Sequence, residues 1–143
     1  MKRIEAEFRR AEHLLYVSLK YTKTADVIRN VLDRWRSTIE MCIERLLMRA
    51  KRTKKIKVIP TAPLAMAELI PTIYKDKIVK EILELYYFFR RLKSLEQMRV
   101  CEFRKHVALL VIDGKKEINI DIPKLYEWNQ KIAIFLEYVK EKV

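Results

Sequence analysis

Nine residues, Val27, Ile28, Val31, Trp35, Thr38, Ile39, Cys42, Leu46 and Ala50, recur at helical spacing through one stretch of the chain. A stripe with a 3.6-residue period held over roughly six turns predicts a single long helix with one face that must be covered. That requirement limits the fold more than any other feature. A helix of about 36 Å can hide such a stripe only against several other elements, which makes a helical bundle the expected architecture.

The flanking sequence supplies the covering elements. Ile4, Phe8, Ala11, Leu15 and Leu19 form one stripe, predicting a helix over residues 2–20. "KYTKTAD" interrupts it, and Thr22 or Thr24 is suited to cap the long helix. "VIPTAPLAMAELIP" predicts a short helix that starts at Thr61 and Pro63 and ends at Pro71. Residues 73–98 predict another helix with Ile78, Ile82, Leu85, Phe89 and Leu92 inward. Residues 122–142 predict the last, with Leu125, Trp128, Ile132, Phe135 and Val139 inward and Asp121 as its N-cap. One glycine and four prolines in 143 residues leave few places for long loops. The expectation is one domain over residues 1–143. It is a mainly α, antiparallel helical bundle of four main helices plus one short helix, with a β-hairpin inserted before the last helix.

The hairpin comes from a change of period. "HVALLVI" and "KKEINID" flank Asp113-Gly114, a strong short-range hairpin signal. A two-residue turn there sets Ile112 opposite Lys115, Leu110 opposite Glu117, Ala108 opposite Asn119 and His106 opposite Asp121. Val107, Leu109, Ile118 and Ile120 would then share the buried face. Arg104, His106, Asn119 and Asp121 would form a polar cluster near the open end. A His beside an Asp suits phosphate binding or acid–base work. The competing reading is structural, with Asp121 capping the last helix and His106 tying the hairpin to it. That reading is preferred, because one His–Asp pair is a weak signal.

Net charge is +12, which points to an anionic partner, with RNA or other nucleic acid first. Lys/Arg-rich surfaces also arise in thermophile-type proteins without any ligand. Two basic groups stand out, Arg49, Lys51, Arg52, Lys54 and Lys55 in one, and Arg90, Arg91, Arg99, Arg104 and Lys105 in the other. The aromatic run "LYYFFRR" could stack on bases, but four successive aromatics circle a helix, so core packing is the stronger expectation. Two lone cysteines and two histidines lack zinc spacing, so no metal is expected, and no cofactor motif is legible. Cys42 and Cys101 read as buried thiols in a reducing compartment. The start "MKRIEAEFRR" is unlike a signal peptide, and "VALLVI" is too short to span a membrane; the expected location is cytoplasmic.

"AEHLLYVSLKYTKTADVIRNVLDRWRSTIEMCIERLLMRA", "RVCEFRKH" and "KLYEWNQKIAIFLEYVKEKV" together resemble the HEPN family of four-helix bundles. "RVCEFRKH" matches the family's R-x4-6-H motif at its long end, through Arg99 and His106. The resemblance implies metal-independent RNA cleavage across a homodimer interface. There a 2′-OH attacks the phosphodiester, His106 moves a proton, and Arg99, or Arg104 in its place, steadies phosphoryl charge. It equally implies inactive members that bind RNA or partner a nucleotidyltransferase. Val100 stands where active members usually carry a polar residue, the spacing is six rather than the common four, and a hairpin follows His106 where the family usually runs into its last helix. The expected function is therefore a non-catalytic, dimeric binding module for RNA or another anionic partner. A ribonuclease and a protein-interaction module are the alternatives.

Overall fold

The long stripe becomes α3 (Ala25–Arg52), and the computed structural model, which describes residues 1–143, arranges the other elements around it. Thr24 caps it, its hydroxyl accepting from the Val27 N–H at 3.4 Å. Eight of the nine stripe residues are buried, and Leu32, Ile43 and Leu47 widen the buried face. That width is why helices pack on more than one side of α3. Ahead of it, α1 (Lys2–His13) runs through one wide π-type turn, Leu14–Ser18, into α2 (Leu19–Tyr21). Ile4, Phe8, Ala11, Leu15 and Leu19 are all buried, as their spacing predicts.

Helix α4 (Pro63–Ile73) starts with Pro63 in its first turn but does not stop at Pro71. Pro71 sits in the last turn, where its ring forfeits only one hydrogen bond and the helix closes two residues later. The Tyr74 N–H donates to Ile70 O at 2.8 Å, and the buried Tyr74 hydroxyl donates to Leu46 O at 2.9 Å, fixing this corner to α3.

The helix expected over 73–98 is shorter. It forms α5 (Lys77–Arg91), followed by a 3₁₀ turn, Leu92–Ser94, and then a strand, β1 (Glu96–Val100). The strand wins over good local helix formers because β2 (Ala108–Asp113) offers it a ladder along its whole length. Gln97 reinforces the switch. Its amide donates to Leu92 O at 2.6 Å while its carbonyl accepts from Arg29 Nε at 2.8 Å. The hairpin is therefore part of a three-stranded antiparallel sheet in the order β1-β2-β3, with β3 spanning Lys116–Asp121.

The hairpin register also differs. Asp113 pairs with Lys116, Leu110 with Asn119 and Ala108 with Asp121, so the loop is Gly114-Lys115 rather than Asp113-Gly114. Gly114 has φ +65° and Lys115 does not join it in that region, the pattern of a turn with glycine at its first central position. The offset is two residues, so the faces survive. Val107, Leu109, Val111 and Ile120 are buried and Ile118 is half-buried.

Helix α6 (Ile122–Lys142) follows directly, with Asp121 Oδ1 accepting from the Lys124 N–H at 3.0 Å. Its predicted inward residues are all buried. Glu5 meets Lys140 and Glu12 meets Asn129, Tyr86 meets Glu40 and Phe89 meets Trp35, and Arg3 lies near Arg45 while Glu7 meets Arg34, so α1 and α5 run opposite to α3 and α6. One core cluster of 35 buried residues joins the helices and the inner face of the sheet. No helix is long and apolar enough to cross a membrane.

Candidate functional site

The first basic group lies at the C-terminal end of α3, and the second spreads from its middle, where Arg90 meets Glu40, to its start. With 28 residues, α3 spans about 42 Å. Arg99 bonds to Asp26 at its start, whereas Arg49 to Arg52 form its last turn.

At the sheet end, Arg99 lies on β1 and not on a helix. Its Nη2 is 3.1 Å from Asp26 Oδ1, and its Nη1 is 3.3 Å from both Asp26 Oδ2 and Glu102 Oε2. Glu102 Oε2 also accepts the Ala25 N–H at 3.1 Å, helping to cap α3. Arg99 thus clamps β1 and the loop after it to the head of α3. Hydrogen bonding to Asp26 raises its already high pKa. Arg104, Lys105 and His106 follow in the loop between β1 and β2, exposed, with no ion pair inside the chain. The loop is held by the Phe103 N–H donating to Lys23 O at 2.6 Å, and Cys101 and Phe103 both have positive φ.

The register separates the predicted polar cluster. Ala108, not His106, stands opposite Asp121, and Asn119 faces Leu110. His106 lies outside the strand, and the Asp121 carboxylate is spent on capping α6. The His–Asp pair expected from a turn at Asp113-Gly114 is absent, because the true loop sits one residue later. Cys101 is exposed rather than buried, while Cys42 is buried as expected. Burial pushes the Cys42 thiol far above its ordinary pKa. The core reading of "LYYFFRR" holds, with Tyr86, Phe88 and Phe89 buried.

Three of the five cations in the second basic group are already neutralised. Arg90 bonds Glu40 at 2.9 Å, Arg91 bonds Asp113 at 2.7 Å, and Arg99 holds Asp26 and Glu102.

The other end is different. Arg45, Arg49, Lys51, Arg52, Lys54, Lys55 and Lys57 form no ion pair. The chain turns there through a C-cap in which Lys55 N–H donates to Ala50 O at 2.9 Å and Lys54 N–H to Lys51 O at 3.1 Å. Lys54 occupies the left-handed position, φ 65°, that glycine usually takes in such a cap. The turn holds the backbone of Lys54 and Lys55 against the last turn of α3, which carries Arg49, Lys51 and Arg52. The helix C-terminus favours cations through its dipole, but only within its last turn, and Lys54, Lys55 and Lys57 lie beyond it. The run "RLLMRAKRTKKIK" already sets Arg45 and Lys57 in this group, with Arg45 one helical turn before Arg49.

The sequence reading also passed over a polar ladder on α3. Asp26, Arg29, Asp33, Arg36 and Glu40 recur three and four residues apart, and three of the four steps close as ion pairs, all but Arg29 to Asp33. Glu40 ends the ladder, accepting from Arg36, from the Tyr86 hydroxyl at 2.7 Å and from Arg90 at 2.9 Å. Its signal was legible as alternating charge at helical spacing. No three His, Cys, Asp or Glu side chains come together in a metal-binding arrangement. Comparison of the chain with family models, with curated proteins and with solved structures found no match.

Proposed function

We propose that the protein is a non-catalytic RNA-binding module that meets the phosphate backbone with the basic end of α3. The supporting observation is the seven cations from Arg45 to Lys57, free of ion pairs and set at one end of the molecule around a tight C-cap. Cations left without carboxylate partners keep their whole field for an external anion, whereas paired ones keep only part of it. Phosphate contacts of this kind give affinity and orientation with little sequence preference.

The ribonuclease alternative receives less support. Both terminal nitrogens of Arg99 are engaged by carboxylates, which leaves only Arg104, exposed and unpaired two residues before His106, to steady phosphoryl charge. Filter binding of a mixed-sequence single-stranded RNA at low salt tests the proposal. Retention is expected, and it should fall steeply as salt rises. No binding of RNA at low salt sinks the reading. Cleavage of that RNA in the presence of EDTA, abolished by His106→Ala, would replace it with the enzyme.

A further inference from the structure

Away from the basic end of α3, a cleft of about 590 Å³ opens between the first half of α3, the end of α5 and β1. That volume is in the range of small-molecule sites. Leu32, Phe89 and Leu92, all buried, form its floor. Its walls carry four cations, Arg29, Arg36, Arg90 and Lys93, two amides, Asn30 and Gln97, and one carboxylate, Asp33, while Asp26 and Glu40 pair with the arginines from outside the lining and leave one positive charge in excess.

The guanidinium groups are held in place before any ligand arrives. Arg29 is fixed by Asp26 at 3.1 Å and by the Gln97 carbonyl at 2.8 Å. Arg36 is held by Asp33 and Glu40, and Arg90 by Glu40 and the Tyr86 hydroxyl. Arg29 and Arg90 are each about one-third exposed, and Nη2 of each makes no hydrogen bond within the chain, whereas all three nitrogens of Arg36 are engaged by Asp33 and Glu40. Lys93 has no ion pair at all. Arginines ordered from behind suit bidentate capture of a phosphate, because the entropic cost of fixing them is met during folding.

We propose that this cleft binds a phosphomonoester attached to a flat, largely apolar body, as in a nucleoside monophosphate. The phosphate lies among Arg29, Arg90 and Lys93, and the ring system lies over Leu32, Phe89 and Leu92. The inference stands apart from the RNA reading, since none of these residues belongs to the basic end of α3. One chemistry has two sources here, a free nucleotide and the 5′-terminal phosphate of an RNA.

Isothermal titration of the full chain with AMP, with adenosine and with a short RNA carrying either a 5′-phosphate or a 5′-hydroxyl tests it. Saturable binding of AMP is expected, with adenosine at least about tenfold weaker. Lys93→Glu and Arg29→Gln should each weaken AMP about tenfold or more while circular dichroism shows the fold retained. A Lys54→Glu/Lys55→Glu variant should leave AMP binding unchanged. If the 5′-phosphorylated RNA saturates the cleft and AMP does not, the phosphomonoester assignment holds and its source is the RNA end. The proposal is overturned if neither phosphorylated ligand gives saturable heat. It is also overturned if that heat survives Lys93→Glu and disappears in the Lys54→Glu/Lys55→Glu variant, which would place the phosphate at the end of α3.

Discussion

Glu40 illustrates how one carboxylate can organise a helical interface. It sits midway along α3, a quarter exposed, and gathers Arg36, Arg90 and the Tyr86 hydroxyl. Charge-assisted hydrogen bonds of this kind contribute about 1.5–3 kcal/mol each when their partners are shielded. Burial first, and the hydrogen bond to Glu40 second, push the Tyr86 phenol from its ordinary 10 up to about 12. A raised acid keeps its proton in the folded chain after the unfolded chain has released it. Between pH 10 and about pH 12 the unfolded state therefore binds fewer protons, and stability falls as pH rises. Below pH 10 the contribution is fully present. Urea midpoints measured across that window should drop more steeply for the wild type than for Tyr86→Phe. Parallel slopes would mean that the phenol titrates in the fold as it does in the unfolded chain. From sequence, "LYYFFRR" offered four aromatics as equals. Only the direction of α5 against α3 singles out Tyr86 as the one whose hydroxyl reaches Glu40.

At the level of elements, the turn after α3 sets stability against charge. Of four residues with positive φ, only Gly114 is a glycine; Lys54, Cys101 and Phe103 hold the same region with side chains. A non-glycine residue there costs about 1 kcal/mol. Lys54→Gly should therefore raise the melting temperature by roughly 3 °C, while RNA affinity falls because a cation is lost. An unchanged or lower melting temperature would show that the lysine is not strained. The elements themselves were largely readable, because each long helix carries a stripe that tertiary packing has no reason to override. The stripes of α1, α3 and α6 are buried as their spacing requires. Two misreadings have one cause. Residues 96–98 have good helix formers, and Asp113-Gly114 is the stronger turn dipeptide, so local propensity favours a longer α5 and an earlier turn. Both are settled by pairing with β2, a contact made across the chain and invisible in any short window. The two-residue offset kept the buried face correct, but it moved Asp121 away from His106 and dissolved the predicted polar cluster.

Over the whole molecule, the sequence presents two basic groups of similar density, and folding makes them unlike. Arg90 finds Glu40, Arg91 finds Asp113 and Arg99 finds Asp26, partners separated by 22 to 73 residues in the chain. No local pattern could reveal those pairings. Arg49 to Lys55 meet no such partners, so the chain's positive excess is expressed most strongly about 42 Å from the sheet end of α3. This difference yields a quantitative expectation for RNA binding. Each phosphate neutralised on a single strand contributes about −0.7 to the slope of log affinity against log salt. Replacing Arg49, Lys51, Arg52, Lys54 and Lys55 with glutamine should flatten that slope by about 3 if most of them touch phosphate. Replacing Arg91 and Arg99 with glutamine should leave it nearly unchanged, because their charges are already answered within the fold. Binding isotherms over a salt series for the three proteins make the comparison, with circular dichroism confirming that each variant is folded. Equal flattening by both sets would mean that internal ion pairs open to the ligand and that RNA lies along the length of α3. A slope that only the second set reduces would move the interface to the sheet end, beside the exposed Arg104, Lys105 and His106.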